Sequence, residues 1–184
     1  MNYCTSCGTS LRTGIPEGDD RPRHICDACG TIHYQNPKLI AGCIPVWQDR
    51  ILLCKRAIEP RLGYWTLPAG FMELGESLPD AARREAREEA NIEVELDSVY
   101  TIFSLPHISQ VQVFFRARML EERYSAGSET LEARLFREDE IPWTEISFET
   151  VYRSLRLFFA DRKQGSYAFR LETIAPDQRR MGGG

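Results

Sequence analysis

The sequence predicts an α/β protein: a mixed β-sheet with helices on its faces, preceded by a small module folded around a metal. Three observations carry this. Strand-like runs, one strongly helical run, more strand-like runs and a second amphipathic helix follow one another, the order expected of a sheet covered by helices. Four of the six cysteines stand near the start as two Cys-x2-Cys pairs. The 184 residues, 42% apolar and 27% charged, suit one ordinary domain with an appendage.

The same numbers exclude other classes. The chain is too apolar for disorder and too poor in glycine for collagen. No apolar run approaches the ~20 residues of a membrane helix. The opening Met-Asn-Tyr-Cys has no apolar core of a signal peptide, so a cytoplasmic protein without membrane attachment is expected. With 23 Lys and Arg against 27 Asp and Glu, the net charge is −4. A protein built mainly to hold nucleic-acid phosphates would be basic, so nucleic acid is not an expected partner.

The elements follow in order. Cys4, Cys7, Cys26 and Cys29 have the spacing of a zinc site. Four thiolates around Zn²⁺ leave no open position, so the metal is structural. Two disulfides would need an oxidising compartment, and a redox Cys-x-x-Cys would usually occur once. Residues 1–34 are too few for a core of their own and depend on the ion. His24 and His33 read as surface or packing residues, and Thr13–Arg23 as a loop. Gln35-Asn36-Pro37 opens the main domain, residues 35–165.

Leu39–Trp47 and Ile51–Arg56 read as a β-hairpin, with Cys43 and Cys54 as buried apolar residues. Ala57–Gly63 is a loop and Tyr64–Leu67 a short strand stopped by Pro68. Pro79–Ala90, almost wholly Ala, Arg and Glu, is the clearest helix. Glu93–Leu105, Gln110–Met119 and Glu132–Phe136 read as strands. Ser147–Phe159 reads as an amphipathic helix with Val151, Leu155, Phe158 and Phe159 on one face. The chain from Lys163 onward, and residues 166–184 in particular, reads as a polar tail, mobile in part.

The chemistry lies between Gly70 and Ile92. Glu85, Glu88 and Glu89 stand at i, i+3 and i+4 of the helix, within one arc of about 100°. Three stacked carboxylates repel one another, and a hard divalent cation such as Mg²⁺ or Mn²⁺ relieves that repulsion. Glu76 lies on the turn before the helix and reaches the same region. Arg84 can hold a carboxylate bidentately. Ala82, Ala86 and Ala90 form the stripe that packs on the sheet. Taken singly, any one of these glutamates reads more readily as solvated surface. Six fixed identities, Gly70, Glu76, Arg84, Glu85, Glu88 and Glu89, match by chance with probability on the order of 10⁻⁷.

These residues spell Gly-x5-Glu-x7-Arg-Glu-Ala-x-Glu-Glu-x-Asn-Ile. The pattern resembles the signature box of the Nudix hydrolases, which act on a nucleoside diphosphate linked to another group. Ala86 replaces a bulky aliphatic, and Asn91 replaces the glycine that closes the helix. Asn is the next best residue for the left-handed conformation needed there. Tyr34–Lys38, Leu53–Arg56, Trp65–Gly70, Leu135-Phe136 and Asp139–Pro142 also resemble the zinc-ribbon branch of that family, including its FAD and ADP-ribose pyrophosphatases. NADH pyrophosphatases and NAD-decapping enzymes share the ribbon. Their Ser-Gln-Pro-Trp-Pro-Phe-Pro-x-Ser element is absent here, where Phe103–Ser109 stands in its place.

The resemblance implies a Nudix α/β/α sandwich behind a zinc ribbon, Mg²⁺ held by Glu85, Glu88 and Glu89, and Arg84 orienting Glu85. Glu76 supports the site or its loop. Glu129 in Ser128–Arg134 supplies a further ligand or the base, with Glu132 close behind. Whether Glu85 or Glu129 is the base stays open. Gly70 belongs to the substrate site. The substrate, a small nucleoside diphosphate derivative, is expected to stack a ring on Tyr64, Trp65, Phe103, His107 or Phe115 and to meet Arg56 or Arg61 with its phosphates. A homodimer is implied. Two other functions compete: a nucleotide-binding sensor, which would tolerate eroded glutamates, and an RNA-processing enzyme, which would want a basic stripe. Arg12, Arg21 and Arg23 alternate with Glu17, Asp19 and Asp20 instead.

Overall fold

A computed structural model describes residues 1–175 and divides the chain into two compact units, Met1–Pro37 and the remainder from Lys38. The far end of the expected tail, residues 176–184, lies outside the described residues.

The first unit is a three-stranded antiparallel sheet of β1 (Arg12–Gly14), β2 (Arg23–Ile25) and β3 (Ile32–His33). Both ends of the expected Thr13–Arg23 loop are therefore strand. Segments of two or three residues are too short to show a period of two. The cysteine pairs sit on matching knuckles: the Gly8 amide donates to the Cys4 carbonyl and the Gly30 amide to the Cys26 carbonyl, both at 2.9 Å.

The second unit is a mixed sheet with a helix on each face. Its strands are β4 (Lys38–Trp47), β5 (Arg50–Arg56), β6 (Trp65–Thr66), β7 (Ala69–Phe71), β8 (Val94–Leu105), β9 (Gln110–Met119), β10 (Thr130–Phe136) and β11 (Arg170–Thr173). The main path runs β10-β5-β4-β9-β8-β11, with β6 on β5 and β7 on β4. The β4–β9 and β8–β11 pairs are parallel and the rest antiparallel.

Alternation along the strands divides the core in two. Ile51 and Leu53 face one side, with Trp65, Phe103, Phe114 and the buried stripe of helix α2 (Glu149–Gln164): Val151, Leu155, Phe158 and Phe159. Leu52 and Cys54 face the other, with Cys43, Phe115 and Met119 under helix α1 (Leu78–Ala90). Ala81, Ala82, Ala86 and Ala90 are fully buried there. A methyl group at each contact lets α1 lie close on the sheet, which explains the small residue at position 86.

Helix α1 is well delimited. Pro79 stands in its first turn, the Ser77 side chain accepts the Asp80 amide at the N-terminus, and Asn91 ends it with φ = 51°. Helix α2 starts two residues later than expected and runs to Gln164, five residues beyond Phe159. The expected tail is corrected in its first part. Arg170–Thr173 forms β11, because Asp161 of α2 binds Arg170 at 2.7 and 2.8 Å and takes the Tyr100 hydroxyl at 2.9 Å. Ile174 is buried just beyond. Among the described residues, no helix is long and apolar enough to cross a membrane.

Candidate active site

Arg84 is the centre of the site. Its Nε and Nη2 bond the two oxygens of Glu76 at 2.6 and 3.1 Å. Its Nη1 donates to Glu85 Oε1 and to Glu88 Oε2, both at 2.7 Å. Its Nη2 also reaches the Phe71 carbonyl at 3.0 Å. Glu76 takes the Glu73 amide at 2.9 Å as well. One guanidinium thus ties the turn before α1, the end of β7 and two helix carboxylates together. It does more than the orientation of Glu85 expected from the sequence. The partner fixes the charge states: the bond from Arg84 holds the Glu76 carboxyl below its usual range.

Glu85 is 8% exposed, and its carboxylate lies over the backbone of Gly70. A Cβ on residue 70 would stand 2.3 Å from Glu85 Oε1 and 2.5 Å from Oε2. Only glycine leaves room for the acid. Burial pushes the Glu85 carboxyl up, with Arg84 pulling against it. Glu89 is the more strained charge. Burial and then the Glu85 charge push it up to about 8, while Arg56 and the Ala69 amide draw it back. Its Oε2 is buried with no hydrogen-bond partner among the described residues. A desolvated carboxylate oxygen without a donor is costly, and a cation placed there relieves it.

Glu129 is exposed on the turn that leads into β10, and its charge acts on both Glu85 and Glu89. The loop carrying it is fastened to the end of α1. The Gly127 amide donates to the Glu89 carbonyl at 3.0 Å, the Ser125 amide to the Ala90 carbonyl at 3.0 Å, and Asn91 Nδ2 reaches Ser125 Oγ at 3.0 Å. A Cβ on residue 127 would fall 1.7 Å from the Glu88 carbonyl oxygen. Sequence reading missed Gly127, Ser125 and the Phe71 carbonyl. The glycine two residues before Glu129 was the available signal for the first.

The other expected residues separate. Arg56 is half-buried, with Nε on the Pro60 carbonyl at 2.8 Å and its guanidinium 5.1 Å from the Phe148 ring. Arg61 is exposed over Tyr64, 5.4 Å from the ring centre. His107 is exposed on the one-turn helix Pro106–Ile108. Phe103, expected to meet substrate, is fully buried in the α2-side core and is a packing residue. Trp65 and Phe115 are buried in the two cores as well. Glu132 is exposed opposite Lys55.

The cysteines form a closed set. Cys4, Cys7, Cys26 and Cys29 bring one sulfur each within 4.8 Å of all the others, with Cys4–Cys29 at 3.7 Å and Cys7–Cys26 at 3.5 Å. Zn–S bonds of ~2.3 Å place tetrahedral sulfurs ~3.8 Å apart, so the set fits one Zn²⁺. His33 is more than packing: its Nε2 lies 3.3 Å from Cys4 Sγ, where an N–H steadies a thiolate ligand. Among the described residues no other group of three or more ligand atoms is gathered so tightly. The glutamates stand further apart, with Arg84 between Glu85 and Glu88.

Two family models match successive parts of the chain. Residues 2–35 match the family model described as Nudix N-terminal, a zinc ribbon, and residues 36–155 match the NUDIX domain. The crystal structure of a NUDIX hydrolase from Nitrosomonas europaea is 52% identical, with a TM-score of 0.92 over 95% of this chain and 99% of that one. An ADP-ribose pyrophosphatase from Methanocaldococcus jannaschii is 27% identical over 126 residues, 65% of this chain and 73% of its own length. The NAD-capped RNA hydrolase NudC of Salmonella heidelberg is 32% identical over 149 residues, 76% of this chain. This chain spans about half the length of that relative, 53%. With the family's domain matched over most of its length and the glutamates gathered around Arg84, the chain belongs to the zinc-ribbon branch of the Nudix hydrolases.

Proposed function

We propose that the protein is a Mg²⁺- or Mn²⁺-dependent pyrophosphatase that splits the diphosphate bridge of a dinucleotide-type substrate, of the FAD or ADP-ribose class, into AMP and a second monophosphate. It acts in the cytoplasm as a homodimer. The observation that carries this is the Glu85–Glu89 pair: two partly desolvated carboxylates, one with an oxygen lacking a donor among the described residues, in an oxygen-only donor set suited to a hard cation.

When bound, such a cation supplies Lewis acidity toward water and the phosphate oxygens. The chain supplies the rest. Glu85, Glu88 and Glu89 hold the cation, and Arg84 fixes Glu85 and Glu88 through one shared nitrogen. Glu76 anchors Arg84 and the loop and does not itself meet substrate. Gly70 leaves the space in which Glu85 is placed. Glu129, exposed and near the other carboxylates, takes the proton of the attacking water as the P–O bond of the bridge breaks. Arg56 meets the phosphates with its Nη groups. Arg61 and His107 are exposed enough to meet the distal half of the substrate.

A second reading is hydrolysis of NADH or of an NAD cap on RNA. The NudC relatives favour it, and the absence of their Trp-Pro-rich element at Phe103–Ser109 weighs against it. Incubation with Mg²⁺ and FAD, ADP-ribose, NADH or NAD-capped RNA, with Glu88→Gln as control, separates the readings. AMP from FAD or ADP-ribose, lost in the variant, is the expected result. AMP mainly from NADH or capped RNA keeps the chemistry and changes the substrate. No turnover of any of the four makes the protein a nucleotide-binding sensor.

A further inference from the structure

Strand β11 ends the sheet, and among the described residues only its β8 side is paired, from Arg170 opposite Thr101 to Thr173 opposite Ser104. The Ile174 amide donates to the Ser104 carbonyl at 2.9 Å. Backbone amides of a strand alternate in direction. The amides of Arg170 and Glu172 therefore also turn toward β8, and the N–H and C=O of Leu171 and Thr173 point away from it. Side chains alternate as well. Arg170 and Glu172 lie on the α2 side, in ion pairs with Asp161 and Arg153. Phe169 and Leu171 are 56% and 65% exposed. Natural edges are usually blunted by Lys, Pro or a covering loop. Among the described residues, this one presents open backbone groups beside two large apolar side chains.

We infer that this edge joins two copies of the chain, β11 against β11, antiparallel and centred on Leu171. A two-fold axis makes such an interface self-complementary. Outward-pointing residues must pair with outward-pointing residues, so only registers that oppose Leu171 to residue 169, 171 or 173 of the second copy are open. The first sets Arg170 against Arg170, and the third sets Glu172 against Glu172. The central register sets Leu171 against Leu171, exchanging both backbone hydrogen bonds. It places Arg170 opposite Glu172 twice and Phe169 opposite Thr173 twice. Opposite charges at directly facing positions stabilise a strand pair and like charges disfavour it, so the charge pattern selects one register. Phe169 and Leu171 of both copies then join half-buried Ile102, the β8 neighbour of Leu171, in one apolar strip across the junction. The assembly does not depend on the reaction proposed above.

Leu171 lies on the axis, which gives a specific test. Sedimentation velocity of the wild-type chain is expected to show twice the 21.1 kDa chain mass. Leu171→Lys and Leu171→Glu each put like charges face to face and are expected to raise the dissociation constant more than about 100-fold, giving single chains. An equimolar mixture of the two variants is expected to pair again. Circular dichroism and the thermal transition of each variant verify folding without reference to activity. A monomeric wild type, dimeric single variants, or a mixture of folded variants that stays monomeric would each overturn the inference.

Discussion

The ribbon cysteines and the α1 glutamates are both arrays of side chains that can carry negative charge, yet they are built differently. The four sulfurs already stand at the separations that one tetrahedral ion demands. The carboxylates do not. Arg84 is shared between two of them and Glu76, and one Glu89 oxygen has no partner among the described residues. A closed set makes the ion part of the fold. An open one leaves positions for water and phosphate, which a hydrolytic site requires.

Removing zinc tests the closed half and is the largest effect expected. The strands of the first unit contribute few buried apolar residues, chiefly Ile25 beside Cys4 and Cys26, and structural zinc supplies ~10–16 kcal/mol in such modules. Chelation is expected to release one zinc per chain and unprotect the amides of residues 1–37 in hydrogen exchange. Residues from Lys38 onward, with two cores of their own, stay folded. Persistent protection of the ribbon amides without metal would show that something other than zinc holds them.

Two substitutions test the open half. Glu85→Gln keeps an acceptor for Arg84 and removes a charge, so kcat is expected to fall about 10³-fold with the thermal transition little changed. Gly70→Ala forces the Glu85 carboxylate from its place. Misplacement of a catalytic group by about 1 Å costs on the order of 10²-fold, so kcat falls by that factor with substrate affinity nearly kept. A Gly70→Ala enzyme with full activity would show that Glu85 is free to settle elsewhere.

Proton linkage reads the same contrast. Glu89, pushed up to about 8, holds its proton more tightly folded than unfolded. The metal-free protein therefore has this contribution in full below the ordinary carboxyl value and loses it as pH rises through about 8. Glu85, also raised, acts in the same direction. Glu76, lowered by Arg84, acts oppositely, its contribution vanishing as pH falls through its folded value. Calorimetric titration of Mg²⁺ near neutral pH in buffers of different ionisation enthalpy is expected to show release of roughly one proton per chain, declining at pH well above 8. Binding without proton release would mean that the cation bypasses Glu89.

How much could be read beforehand follows from how local each signal is. Helix α1 announces itself through Ser77, Pro79, the Ala stripe and Asn91, all near in sequence. The ribbon does so through cysteine spacing, and the first hairpin through the apolar runs Leu39–Trp47 and Ile51–Cys54. The rest depends on what returns from far along the chain. β11 has four residues and is held by Asp161 and Tyr100, which no local pattern reveals. Phe103 and Phe115 stood beside His107 as candidate stacking rings, and strand register buries them on opposite faces. Gly127 matters only because its loop comes back over the end of α1.

The smallest effect concerns that junction. Asn91 has φ = 51°, a conformation that glycine adopts freely and asparagine at modest cost. Asn91→Gly removes that cost and also the side-chain bonds to Ser125 and the Ala126 carbonyl. The two changes oppose each other, so stability is expected to move by less than about 1 kcal/mol, a shift of no more than ~2–4 °C in Tm. Activity discriminates better. If the Asn91 side chain helps hold the loop that brings Glu129 to the carboxylates, kcat falls several-fold while Tm barely moves. If both stay unchanged, the Gly127 and Ser125 amide bonds hold the loop unaided, and the open site owes its shape to backbone alone.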